Sequence, residues 1–215
     1  MASARRMMVL ATMACVLPMA ANAHAAAPDF GSDGLKGLSE SQIKEITGGK
    51  VIAATSEPSE DEATKSRSSL ITAVMIFEMP PERVYELLYR SEDQIKFLPE
   101  IKEVKVISRS ETQNNIEFKT RAAVFTFVYR VIHHFDKSSL YIHWAMDRSF
   151  KNDLEDLRGF WKLYPYPGGK TLARYGSSVS IKGVPEWVEN MFKKSGVKSA
   201  LANTKKYIDT GWTCR

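Results

Sequence analysis

Between residues 104 and 181 the sequence carries six β-rich segments in succession, with no stretch of helical periodicity among them. They run Val104–Ser108, Ile116–Ala122, Val124–Phe135, Leu140–Met146, Gly159–Tyr164 and Thr171–Ile181. Short connections such as Asp136-Lys137-Ser138-Ser139 and Pro165-Tyr166-Pro167-Gly168-Gly169 suit hairpins. They are too short for the crossovers that parallel strands require, so the segments predict one antiparallel meander.

Helices flank this meander. Ser39 with Gln42 three residues later forms a capping-box pattern, and Ile43 and Ile46 supply a small apolar face before Gly48-Gly49. A strand is expected over Lys50–Thr55, a polar surface loop over Ser56–Ser69, and a covered strand over Leu70–Phe77. Pro80-Pro81 then opens a helix in which Val84, Leu87 and Leu88 recur at helical spacing. Pro185 opens a long terminal helix, with Trp187, Val188, Met191, Phe192, Leu201 and Ile208 along its apolar stripe and several lysines opposite. The order predicts an α+β domain with helices on one face of a curved antiparallel sheet.

At the N-terminus, Arg5-Arg6 precede an apolar run from Met7 to Met19 that gives way to small residues, the pattern of a secretory signal. Ala21-Asn22-Ala23 and Ala23-His24-Ala25 both fit a signal peptidase, leaving cleavage after Ala23 or Ala25 open. The expected organisation is a signal over 1–25, a flexible Ala/Gly/Pro-rich leader over 26–38 and one domain over 39–212, exported to the periplasm and soluble there. Loss of Arg5 and Arg6 lowers the formal charge from +5 to +3, too mild and too dispersed to predict nucleic-acid binding. Cys15 leaves with the signal and Cys214 stands alone near the end, which excludes an internal disulfide.

Several local patterns, taken in order, resemble the helix-grip superfamily that includes START lipid-transfer domains, birch-pollen-allergen-like proteins, polyketide cyclases and coenzyme Q-binding proteins. They are Phe77-Glu78-Met79-Pro80-Pro81-Glu82-Arg83-Val84, Leu98-Pro99-Glu100-Ile101, Gly159-Phe160-Trp161-Lys162-Leu163, Gly169-Lys170-Thr171 and Val184-Pro185. The resemblance covers about residues 50 to 210 and implies a bent sheet wrapped around the long terminal helix, with an apolar cavity between them. It places Phe77 on the inner face, and strand alternation then brings Ile71, Ala73 and Met75 to the same side. The same alternation points Phe125, Phe127, Tyr129, Ile142, Trp144, Met146, Trp161, Leu163, Tyr175 and Val179 inward, with Val188, Met191 and Phe192 as a lid.

Such aromatic and methionine side chains can pack as a filled core or line a cavity for a poorly hydrated ligand. The expected function is binding and carriage of an apolar small molecule such as a lipid, sterol, hopanoid or quinone. A cyclase-, dehydratase- or hydrolase-type enzyme and a protein-interaction module with a filled core are the alternatives.

Asp147, Arg158 and Tyr129 are the polar groups that could intrude on a cavity, but no catalytic spacing joins them. His133, His134 and His143 lack a completing ligand, so no metal or cofactor is expected, and His133 and His134 read as surface residues at a strand end. The protein is expected to be a monomer whose terminal helix is an ordinary amphipathic packing helix, with transient contact of its lysines, Trp187 and Phe192 with a membrane surface as the alternative.

Overall fold

The computed structural model describes residues 27–55, 59–60, 67–68, 70–122, 124–181 and 196–211. Helix α1 (Glu40–Thr47) starts at the expected capping box: the Ser39 N–H donates to Gln42 Oε1 at 2.9 Å, and the Gln42 N–H donates to Ser39 Oγ at 3.3 Å. Strand β1 (Ile52–Thr55) follows, then a small ladder of β2 (Ser59–Glu60) with β3 (Arg67–Ser68) inside the stretch expected to be loop. Strand β4 (Leu70–Phe77) leads through Pro80 into α2 (Pro81–Tyr89) and a 3-10 turn over Ser91–Lys96. The meander is β5 (Ile101–Arg109), β6 (Gln113–Ala122), β7 (Phe125–Asp136), β8 (Tyr141–Met146), β9 (Asp156–Tyr166) and β10 (Lys170–Ser180). Helix α3 (Gly196–Asp209) is the described part of the expected terminal helix.

Eight strands form one antiparallel sheet in the order β1-β4-β10-β9-β8-β7-β6-β5. The six meander strands are neighbours in sequence order, and β4 closes onto the last of them. The hairpin joining β9 to β10 places Gly168 and Gly169 at φ of 79° and 72°, a region glycine enters without steric cost. Strand β8 is short, so the first half of β7 lacks it as a partner. The following loop compensates, since Val128 N–H donates to Asp153 Oδ2 at 2.7 Å and Arg130 N–H donates to Asn152 Oδ1 at 2.8 Å.

The sheet has two covered faces. On the inner face, Ala73, Met75, Phe77, Phe135, Ile142, Trp161, Leu163 and Ala173 pack with Val84, Tyr85 and Leu87 of α2 and Leu201 and Ile208 of α3. Full burial of each larger side chain contributes roughly 1.5–3 kcal/mol, so this layer sets the fold's stability.

The outer face corrects the expectation that helices lie on one side only. Ile46 of α1 packs there against Val74, Ile76, Tyr164 and Leu172. Residues 27–38, expected as a flexible leader, also lie on this face: Arg174 sits 4.3 Å from the Phe30 ring centroid and donates to Lys36 O at 2.6 Å. Gly34, at φ 78°, approaches Leu172 and Tyr164 so closely that a Cβ would collide with both. Strand β4 explains this double covering. Its residues are almost continuously buried, so neither of its faces is left to water.

Candidate functional site

A cavity of about 220 Å³ lies between the inner face of the sheet and the helical layer. Each wall has a local cause. Alternation along β7 turns Tyr129, Val131 and His133 inward, and pairing carries the same face across to Trp144, Trp161 and Tyr175. Trp144 can lie flat over β9 because its partner there is Gly159, where a Cβ would overlap the indole. The roof comes from Val197, Ala200, Leu201, Thr204, Tyr207 and Ile208, one stripe of α3 at helical spacing. Leu87 and Leu88 of α2 close one end. Gln94, Phe97 and Leu98, from the 3-10 turn and the residues after it, close the side, and Phe97 stacks on Tyr207 at 4.1 Å between ring centroids.

The inward-predicted residues fall into groups. Tyr129, Ile142, Trp144, Trp161 and Tyr175 border the cavity. Ala73, Met75, Phe77 and Leu163 belong to the packed core beside it, and Ile71 is buried on the same side of β4. Phe125, Phe127, Met146 and Val179 join a second cluster with Ala122, Leu154, Leu157 and Ile181. Val188, Met191 and Phe192, like Trp187, Cys15, Cys214 and the expected signal, lie outside the described residues.

Among the polar candidates, only Tyr129 reaches the cavity. Asp147 is buried on the side of the sheet that carries Asn115, accepting from Asn115 Nδ2 at 2.7 Å and Ser149 Oγ at 2.6 Å; the Ser149 hydrogen bond is the main reason its carboxyl is held below the usual range. Arg158 is largely exposed, with Nε 3.7 Å from Asp156 Oδ2. His134 and His143 stack on the outer face at 4.8 Å, and among the described residues no cluster of three potential metal ligands forms.

His133 departs from the sequence reading. It is 6% exposed, not a surface residue, and its ring lies among Phe118, Phe135 and Trp144. Burial pushes its pKa down to about 3, with smaller contributions from His134 and His143, so the imidazole is neutral at physiological pH. The alternation that placed Tyr129 inward also pointed to His133. The misleading assumption was that the end of this strand is open to solvent, whereas α2 covers it, with Tyr85 and Tyr89 against Phe135.

The phenols of Tyr129 and Tyr175 are also held protonated. Their rings border open space and keep some accessible surface, yet protein atoms crowd the hydroxyls, and burial pushes both pKa values up. Among the described residues the cavity wall carries one charged side chain, Arg90, at the exposed rim with its Nε 2.8 Å from Asp93 Oδ2. The site is therefore a chamber of mixed aliphatic and aromatic walls, with uncharged polar groups from Ser91, Gln94, Ser177 and Thr204 among them.

A family profile described as polyketide cyclase / dehydrase and lipid transport matches residues 77–204. No curated protein matches the sequence. Solved structures with the same fold include the Zhui aromatase/cyclase from Streptomyces sp. R1128, with TM-score 0.59 and 9% identity over 68% of this chain and 97% of that one. The STAR-related lipid transfer protein from Xanthomonas axonopodis has TM-score 0.57 and 10% identity, covering 73% of this chain and 98% of that one. A START superfamily protein from Mycobacterium smegmatis has TM-score 0.55 and 12% identity over 66% and 97% of the two chains. These likenesses establish the helix-grip fold expected from the sequence.

Proposed function

Since the chain belongs to the polyketide cyclase / dehydrase and lipid transport family, we propose that it binds and carries an apolar small molecule in the cavity beneath α3. The observation that carries this reading is the chamber itself: a space of about 220 Å³ bordered by Tyr129, Trp144, Trp161 and Tyr175, with its one described charge at the rim. An empty apolar space loses dispersion contacts along its walls, and a ligand of matching shape restores them. Burial of the ligand's apolar surface supplies affinity at about 25 cal/mol per Å² before the costs of ordering.

The volume is below the roughly 300–1,000 Å³ of typical ligand pockets, so a lipid-sized cargo requires the helical layer to move outward. The same movement admits and releases it. Carriage fits the sequence reading of residues 1–25 as an export signal, which places the domain over 39–212 in the periplasm, between two membranes.

The test is native mass spectrometry of the protein recovered from the periplasm, followed by organic extraction. A stoichiometric lipid, sterol, hopanoid or quinone is expected. An empty protein that also fails to bind a panel of these molecules overturns the reading and leaves the cyclase-type enzyme as the next one to assay.

A further inference from the structure

A second open space lies outside the cavity under α3. It is a groove of about 1010 Å³ that runs round the tip of the β7–β8 hairpin, from α2 to the outer face of the sheet. Arg90 is the one described residue that its wall shares with the α3 cavity. The groove lies at the upper end of the size range of small-molecule sites, whereas the α3 cavity falls below it.

The floor of the groove is aromatic on both sides of the hairpin. Tyr89 of α2 lies 4.6 Å from the Phe135 ring, and Tyr85 meets the same ring edge-on at 6.5 Å. On the other side, Tyr141 stacks on His143 at 5.2 Å and His143 on His134 at 4.8 Å. Strand alternation causes the division: Phe135 points to the inner face, where α2 covers it, while His134, Tyr141 and His143 point outward.

The charged groups of the described wall are Glu86, Arg90, Glu111, Asp136 and Lys137. Two of these are matched by neighbours, since Glu86 Oε2 lies 2.9 Å from Arg83 Nη1 and Arg90 Nε lies 2.8 Å from Asp93 Oδ2. Arg109, with its guanidinium carbon 5.5 Å from the Tyr89 centroid, is matched by Glu92. Asp136 takes neutral donors instead: the hydroxyls of Ser138 and Ser139, at 2.6 Å each, hold its carboxyl well below the usual range. Glu111, in the β5–β6 turn, pairs with no cation among the described residues. Lys137 at the exposed hairpin tip is the one remaining cation of the described wall to set against these two carboxylates, which leaves the groove with a net negative charge.

An anion brought here would face both carboxylates, whereas a cation finds them together with the negative faces of aromatic rings. A metal ion lacks a ligand set, because among the described residues no three potential ligands converge. An alkylated ammonium suits the groove better, since its charge is spread over an apolar surface that can rest on the rings.

We infer that this groove is a second ligand site, for an organic ammonium ion whose charge faces Glu111 and Asp136 and whose apolar part lies on the aromatic floor. The inference is independent of what the cavity under α3 holds.

The test titrates the protein at neutral pH with benzyltrimethylammonium, benzyl alcohol and phenylacetate, which share a benzyl group and differ in charge, and follows the backbone amide resonances. The cation is expected to shift the amides of Glu111, Thr112, Ser139 and Tyr141, to leave those of Val197 to Leu201 in place, and to bind about tenfold more tightly than the alcohol. Glu111→Gln, a change in an exposed turn that leaves the core untouched, is expected to reduce that preference about two- to threefold. Equal binding of cation and alcohol, or phenylacetate bound as tightly as the cation, overturns the ammonium assignment. Shifts confined to α3, or none with any probe, overturn the groove as a site. A preference unchanged by Glu111→Gln overturns the placement of the charge at that carboxylate.

Discussion

Asp209, in the last turn of α3, accepts a hydrogen bond at 2.8 Å from the backbone N–H of Glu78, a residue 131 positions earlier in the chain. Lys205, one turn back, reaches the carbonyl of Ile76 and pairs with the same carboxylate. The two side chains thus fasten the end of the roof helix to the corner where β4 turns into α2, beyond Val74, the last β4 residue that β1 pairs. Asp209→Ala is expected to lower stability by about 1–2 kcal/mol in urea unfolding, and Asp209→Asn, which keeps an acceptor, by less. Equal losses for both would assign the effect to the Lys205 ion pair instead of the hydrogen bond.

At the other side of the roof the closure is aromatic. Phe97 and Tyr207 stack at an interplanar angle of 30°, and both border the cavity. Phe97→Ala removes the contact that shuts the cavity's flank, so stopped-flow fluorescence with the uncharged dye N-phenyl-1-naphthylamine is expected to show association several times faster than in the unsubstituted protein. An unchanged rate would move the entry route to another edge of the helical layer.

Gly159 gives the cavity its flat aromatic floor by leaving room for Trp144. Gly159→Ala is expected to displace the indole and to cost about 1–3 kcal/mol, the usual penalty for overpacking. The change should register as a shifted tryptophan emission together with weaker dye binding. Stability lost with an unaltered emission would place the strain elsewhere in β9.

His133 links the cavity to pH. Its pKa lies near 3 in the folded protein, depressed chiefly by burial, against an ordinary value of 6.5, so between these values the unfolded chain binds a proton that the folded one refuses. Stability from this group is complete above about pH 6.5 and is lost as pH falls toward 3, at up to about 1.4 kcal/mol per pH unit. Asp136, held near 2 by Ser138 and Ser139, adds a loss confined to more acidic conditions, below the ordinary carboxylate range. Urea titrations in the mildly acidic range are therefore expected to show a steep decline that His133→Phe flattens. A variant with the same slope would place the titrating group elsewhere in the protein.

Export is checked by the mass of the recovered protein. Cleavage after Ala23 or Ala25 yields chains that begin at His24 or Ala26, and intact-mass measurement separates the two. Recovery of an uncleaved chain from the cytosol would remove the periplasmic placement and leave the cavity chemistry unaffected.

Much of this arrangement was legible in the sequence because it depends on short-range rules. Consecutive strands with short connections can pair only with their neighbours, so the meander from Ile101 to Ser180 followed directly from local pattern. Strand alternation likewise put Tyr129, Ile142, Trp144, Trp161 and Tyr175 on one face, and all five border the cavity. The corner at Phe77–Val84 and the capping box at Ser39 are also local chemistry.

Other features depend on contacts between distant segments and carry no local signature. Alternation names a face but not the depth of a residue behind it, so it could not separate Tyr129 at the cavity from Phe127 in the neighbouring cluster. Residues 27–38 look like a linker in composition, yet Phe30 finds Arg174 on the far side of the sheet, a pairing only the folded chain creates. His133 could have been a strand-end surface residue until α2 came to rest over the end of β7. Sequence alone determined the order, pairing and facing of the six meander strands, since these follow from hydrophobic period and loop length. The tertiary structure decided which inward side chains meet empty space and which polar group is sealed among them, because burial is a property of the whole packed assembly.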